Sequence, residues 1–272
     1  MRLSLPLITL VAASSLSAQQ VDSVKSDSPP KVQDNSFMLE EAYNQEAGIV
    51  QHIITFQKQR GSHDYEAAFT QEWPVGSIRH QLSYDVPFAR IGSKSGPGDL
   101  GVNYRYQLTG DGNTTLAIAP RFSIILPTGD WKKSQGNGAV GIDLNLPVSY
   151  VLSPDLVTHV NAGVSATPSA RNSAGDRARI YDWTLAQSLI MTTSSLIQPM
   201  VEVVYTHGQE VIGEDRTANA KSFVISPGVR SAFNFSSGLQ IVPGIAIPIG
   251  VGPSSGERGL FVYLSFEHPF TR

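Results

Sequence analysis

Connections of alternating length constrain this chain more than any other feature of its sequence. KQRGSHD is followed by PVG, ARIGSKSGPG by GDGN, TGDWKKSQGNG by SPD, PSARNSAGDRA by TTSS, and HGQEVIGEDRTANA by FSS. Long and short take strict turns. A soluble sandwich has no physical reason to sort its loops this way. A membrane-spanning barrel does, because long loops gather on one side of the bilayer and tight turns on the other.

The segments between those connections alternate apolar and polar residues. Strands are expected at about 49–58, 64–73, 77–88, 139–152, 156–166, 179–191, 196–207, 221–234, 238–250 and 259–270. Two more form a hairpin within Asp99–Asp130, where Val102, Tyr104, Tyr106 and Leu108 alternate with Asn103, Arg105 and Gln107. After GDGN, the residues Phe122, Ile124 and Leu126 alternate with Arg121 and Ser123. Period-two alternation across a short polar turn marks an antiparallel hairpin. Its arms run to roughly ten residues, the reach of a tilted membrane-spanning strand. The expected fold is therefore all-β, a transmembrane antiparallel up-and-down barrel of about 12 strands over residues 47–272. Twelve is even, as single-chain bacterial barrels require. Pro120, Pro199, Pro227 and Pro243 fall inside these strands and each removes a ladder donor, so bulges or breaks are expected there.

Aromatic residues divide into two groups. Trp73, Tyr106, Tyr150, Phe233, Phe266 and Phe270 lie beside short turns or the C-terminus, and Tyr65, Tyr84, Tyr181, Trp183, Tyr205 and Phe223 lie toward the long loops. Two girdles match the two interfaces of a bilayer.

The N-terminus has the parts of a secretory signal peptide over residues 1–18: Arg2, an apolar run from Leu3 to Ala13, then small residues ending at Ala18. Without Arg2 the formal charge passes from −3 to −4, and no basic face suggests nucleic acid. No cysteine is present, which excludes disulfides, thiol nucleophiles and a lipid-acceptor cysteine. Residues 19–46 read as a flexible periplasmic segment, with Pro29-Pro30 breaking any structure and FMLEEAYNQE able to form a short helix. That segment could plug the lumen, but a periplasmic resting place is the preferred expectation.

Charges fall mostly on the face opposite the apolar one. The lumen-facing candidates are Arg79, Asp85, Arg105, Arg121, Asp143, Asp182, Glu202, Arg230 and Glu267. They can form a charged constriction that selects solutes or a network of ion pairs filling a narrow lumen. The second reading is the blander and is preferred. His52, His80, His159 and His207 are dispersed, and His159, Asn161 and Ser165 lie close in sequence without a nucleophile motif. Neither a metal, a cofactor nor a catalytic residue is expected, and the chain reads as no enzyme.

GDLGVNYRYQL, PRFSIILPTGD, SPGVRSAF and GLFVYLSFEHPF together resemble the outer-membrane barrels of the MetA-pathway of phenol degradation family over most of residues 48–270. The resemblance implies a transporter-like or channel-like protein associated with uptake of aromatic or other hydrophobic compounds, and carries over no catalytic residues. The closing segment also resembles the aromatic-ended strand read by the barrel-assembly machinery, departing from it in Thr271 and Arg272.

The expectation is thus a bacterial outer-membrane barrel with both termini periplasmic, forming a channel or uptake route for an unknown small-molecule solute, with lipids and lipopolysaccharide around it. Two alternatives are a barrel-embedded lipid hydrolase and a structural or adhesion barrel acting through its extracellular loops, notably the one around Trp131.

Overall fold

A closed antiparallel barrel satisfies every strand edge, which is the condition for crossing a bilayer with strands. The computed structural model describes residues 36–194 and 196–270. The expected signal peptide and the linker as far as residue 35 lie outside them. Among the described residues twelve strands build the wall: β1 (Ile49–Gln59), β2 (Tyr65–Val75), β3 (Ser77–Ile91), β4 (Leu100–Tyr106), β5 (Leu116–Ile118 and Arg121–Leu126), β6 (Gly141–Ser153), β7 (Leu156–Arg171), β8 (Arg177–Met191), β9 (Gln198–Gly213), β10 (Arg216–Arg230), β11 (Gln240–Ala246 and Ile249–Gly250) and β12 (Gly259–Pro269). Each pairs with the next, and β12 closes on β1 over the full span from Ile49↔Pro269 to Gln59↔Gly259.

Alternation decides which face meets which environment. Along β8 the side chains of Ser188 and Ile190 are buried, whereas Leu185 and Leu189 face outward. Leu144, Val164 and Leu185 are about half exposed, at 48%, 53% and 53%. Aliphatic side chains bare to that degree around a whole wall form a lipid-facing band.

The prolines disturb the wall less than expected. Only Pro120 interrupts its own strand, separating Leu116–Ile118 from Arg121–Leu126. The strands run unbroken through Pro199, Pro227 and Pro243. β11 is interrupted at Ile247 and Pro248, where Pro248 has no N–H to give, and the Ile247 N–H still donates to the Pro227 carbonyl at 2.9 Å.

The long connections are also more ordered than loops need be. HGQEVIGEDRTANA is mostly a continuation of β9 and β10, which pair as far as Gly213↔Arg216 and turn at Glu214 and Asp215. Lys94–Pro97 folds back on β3. Pairing beyond the wall satisfies backbone groups that an irregular excursion would leave to solvent. In the connection after β5, Trp131 lies beneath the Arg171 guanidinium at 5.3 Å and the Lys132 ammonium at 5.4 Å.

Part of the aromatic group expected toward the long loops packs together. Trp183 and Tyr205 pack at 5.2 Å and Tyr205 and Phe223 at 6.1 Å. Tyr84, expected toward the long loops, instead packs 6.1 Å from Trp73, in the group expected beside the short turns.

Candidate functional site in the barrel lumen

The segment Ser36–Gln45 lies inside the barrel in non-helical conformation. For these residues the expected short helix and periplasmic resting place give way to a docked lumen segment. Its entry angle is set just before β1: Gly48 takes φ +79°, a conformation a side chain disfavours, and the Ile49 N–H donates to the Glu46 carbonyl at 3.1 Å. The tight reversal sends the preceding residues back between the strands.

What holds the segment is a ladder of lumen side chains reading its backbone. The N–H groups of Phe37 and Met38 donate to Glu202 Oε1 at 2.7 and 3.0 Å. Alternate donors then step around the wall: Glu40 to Asn161 at 3.0 Å, Ala42 to Ser149 at 2.7 Å, and Asn44 to Gln107 at 2.9 Å. Gln45 adds a bond to Gln81 at 2.7 Å. The acceptors belong to β9, β7, β6, the end of β4 and β3, so the segment crosses the barrel strands rather than joining the sheet. Helix formation would have consumed these donors internally. The extended form leaves them for the wall, and a buried donor without a partner costs about 1–3 kcal/mol.

Charge adds a second lock. Arg105 is buried, with 3% of its side chain exposed, and meets Glu40 at 3.6 Å and Glu72 at 3.7 Å. It also donates to the carbonyls of Glu41 and Tyr43 and to Asn44 Oδ1. Arg121 bridges Glu40 at 2.6 Å and Asp143 at 2.7 Å. A buried guanidinium is tolerable when its planar donors are used to this extent.

The third lock is apolar. Phe37 stacks on Tyr263 and Phe261, with ring centroids 5.0 and 5.9 Å apart. Gly244 supplies the room, because a Cβ there would run into the Phe37 ring, while at Gly228 it would meet Ala246 Cβ first and crowd the ring edge. The lumen therefore has a polar arc centred on Arg105 and Arg121, and an apolar arc around Phe37 drawn from Ile190, Met200, Val242, Ala246, Phe261 and Tyr263.

Between the segment and the end of the barrel carrying the long connections lies a cavity of about 580 Å³, within the roughly 300–1,000 Å³ of small-molecule sites. The nine sequence-designated residues distribute unevenly around it. Asp85, Arg105, Arg121, Asp143 and Asp182 line it. Glu202 lies beneath, fully buried against the segment. Arg230 is buried and donates to Gln198 Oε1 at 2.9 Å. Arg79 is exposed where β3 begins. Glu267 is half-buried on β12, opposite Gln240 and Gln51. The uncharged acceptors Gln81, Gln107, Ser149 and Asn161 carry as much of the geometry, together with Glu40 and Glu72. Their signal was the polar parity of the strands, which marks a lumen face without saying what covers it.

The hydrolase-like residues are not brought together. His159 Nδ1 meets Ser149 Oγ at 2.7 Å, and that oxygen also accepts from Ala42. Ser165 instead donates to Asp182 at 3.2 Å. Among the described residues no group of three or more His, Asp or Glu is placed to hold a metal ion.

The family model described as "Putative MetA-pathway of phenol degradation" matches residues 26–266. The chain belongs to that family. Among solved structures, the family member shares its barrel with an outer membrane channel from Pseudomonas putida F1 at 13% identity and a TM-score of 0.61, over 84% of this chain and 97% of the other. The NanC porin is also similar, at 13% identity and a TM-score of 0.54, over 79% of this chain and 98% of the porin. At such identities the likeness is one of fold, that of an outer-membrane β-barrel. No curated protein matches the chain in sequence.

Proposed function

We propose that this protein is an outer-membrane channel or uptake route for small molecules, narrowed by its own N-terminal segment, with both termini periplasmic and the long connections outside the cell. The observation that carries the reading is the docked segment, which fills one end of a lipid-facing barrel and leaves a small-molecule-sized cavity at the other. The family's description points to phenolic or related aromatic compounds as solutes. Lipid would surround the outer band, lipopolysaccharide would border the long connections, and the closing strand β12 would be the signal for the assembly machinery.

Planar-bilayer conductance of refolded protein, with a liposome-swelling series, tests this. The full chain should give small conductance steps, and a variant lacking residues 36–45 should give markedly larger ones with faster swelling. Silence from both proteins, with folded barrels inserted, would sink the channel reading.

A further inference from the structure

The cavity above the docked segment is not neutral in what it can receive. Six carboxylates line it, from Glu40, Glu41, Glu72, Asp85, Asp143 and Asp182, against the guanidinium groups of Arg105 and Arg121. Glu40, Glu72 and Asp143 are engaged by the two arginines. Asp85 and Asp182 are held by uncharged donors: Asp85 by Asn103 Nδ2 at 2.9 Å, and Asp182 by the Ser165 hydroxyl at 3.2 Å and the Gln209 N–H at 2.8 Å. Among the described residues neither forms a salt bridge.

Their placement keeps the space open. Asp85 lies across Gly101 and Asp182 across Gly208, where a Cβ would collide with the carboxylate. Each carboxylate can therefore lie along the wall instead of standing into the lumen. A separate observation falls on the same arc. Ser123, 1% exposed, lines the cavity between its cross-strand neighbours Asn103 and Asp143, and its hydroxyl has no hydrogen-bond partner among the described residues. It is a polar group offered to whatever occupies the cavity, since buried hydroxyls otherwise find partners within the protein. The opposite side is apolar, with Phe37, Met38 and Leu39 as floor and Ile53 and Tyr263 on the wall.

We infer that this cavity is a binding site for an amphipathic organic cation, a protonated amine on an apolar or aromatic body. The ammonium would lie against Asp85 with Ser123 as a further acceptor, Asp182 adding attraction from five strands away, and the body would rest on Phe37 and Tyr263. Acidic lumen groups between low-dielectric walls attract cations and repel anions. The inference rests on the channel reading but adds a cationic solute class to the phenolic one suggested by the family's description, and binding can be measured without conduction.

Equilibrium dialysis of the full chain, refolded in detergent, against benzylammonium, benzyl alcohol and benzoate tests it. Benzylammonium should bind saturably and more tightly than benzyl alcohol, and benzoate should not be retained. Asp85→Asn should weaken benzylammonium about tenfold or more, Asp182→Asn and Ser123→Ala each less, and the double Asp85→Asn, Asp182→Asn variant at least as much as Asp85→Asn alone, with circular dichroism showing intact barrels. No saturable benzylammonium binding, equal affinity for the alcohol or benzoate, or an affinity unchanged in folded single and double variants would overturn the assignment. Binding without conductance would refute the channel and leave this site standing.

Discussion

Glu40 Oε1 on the lumen segment meets Arg121 Nη1 on β5 at 2.6 Å. The same carboxylate reaches Arg105 at 3.6 Å through its other oxygen, so one side chain of the segment ties together two adjacent strands. About a quarter of the Glu40 side chain is exposed, which places its pairs between exposed ones, worth about 0–1 kcal/mol, and buried ones, whose breakage costs about 3–5 kcal/mol. Glu40→Ala should therefore shift the segment toward release without unfolding the barrel. Larger conductance events should become more frequent in bilayers, while heat-modifiable gel migration of the folded barrel stays as in the native protein.

Gly244 offers a way to displace the segment without touching charge. A Cβ there would collide with the Phe37 ring, which the neighbouring Phe261 and Tyr263 hold in place. Gly244→Leu should expel Phe37 from the apolar arc and expose the segment, read as faster cleavage on its N-terminal side by protease added to barrels in detergent. Phe37→Ala combined with Gly244→Leu should add little further, because both remove the same contact. If Gly244→Leu leaves cleavage unchanged, the apolar lock is not what holds the segment.

These two residues also show where the sequence was legible. Alternation along Gly101–Gln107 and Arg121–Leu126 reports a local property, which side of a strand faces lipid, and the barrel follows from repeating it around the wall. The strand limits shifted chiefly where long connections proved to be paired hairpins, as in Glu214–Asp215. The docking of Ser36–Gln45 was not legible, because its partners are main-chain groups. Sequence does not vary at an N–H, and the acceptors Asn161, Ser149, Gln107 and Gln81 come from strands far apart in the chain. FMLEEAYNQE has good helical composition, yet six of its backbone donors or those beside it meet wall side chains more favourably than one another. Tertiary context overrides propensity here. The glycines at 228 and 244 read simply as strand glycines until Phe37 was seen between them.

Arg105 should behave as the keystone of the polar arc. It is buried, with two carboxylates and three acceptors from the segment around its guanidinium. Arg105→Met keeps much of the volume but leaves Glu72 and the segment carbonyls without their cation. Loss of one partner from such a cluster costs about 3–5 kcal/mol. The expected result is a lower urea midpoint for unfolding from lipid vesicles, followed by tryptophan fluorescence. Combining Arg105→Met with Glu72→Gln should recover part of the loss, since the second change removes the stranded charge. A loss in the double variant equal to the sum of the two singles would show that the pair is not coupled.

Leu144 tests the outer face on which the architecture rests. It is the fourth residue of β6, 48% exposed, and lies between Phe122 of β5 and Val164 of β7, both pointing the same way. Its neighbour Asn145 has the opposite parity and bonds to Asn161 at 2.9 Å inside the lumen. If the exposed side chains meet hydrocarbon, Leu144→Arg should destabilise the barrel in lipid vesicles by about 2–4 kcal/mol, the cost of an arginine near the bilayer midplane. In water the same substitution would cost little, because an exposed surface charge is readily solvated. The decisive comparison is with Leu152→Arg, near the end of the same strand and on the same face, 50% exposed. There the penalty should fall to about 0–1 kcal/mol, because the interface hydrates the charge. Equal effects at the two positions would mean that the band does not face a bilayer core at Leu144.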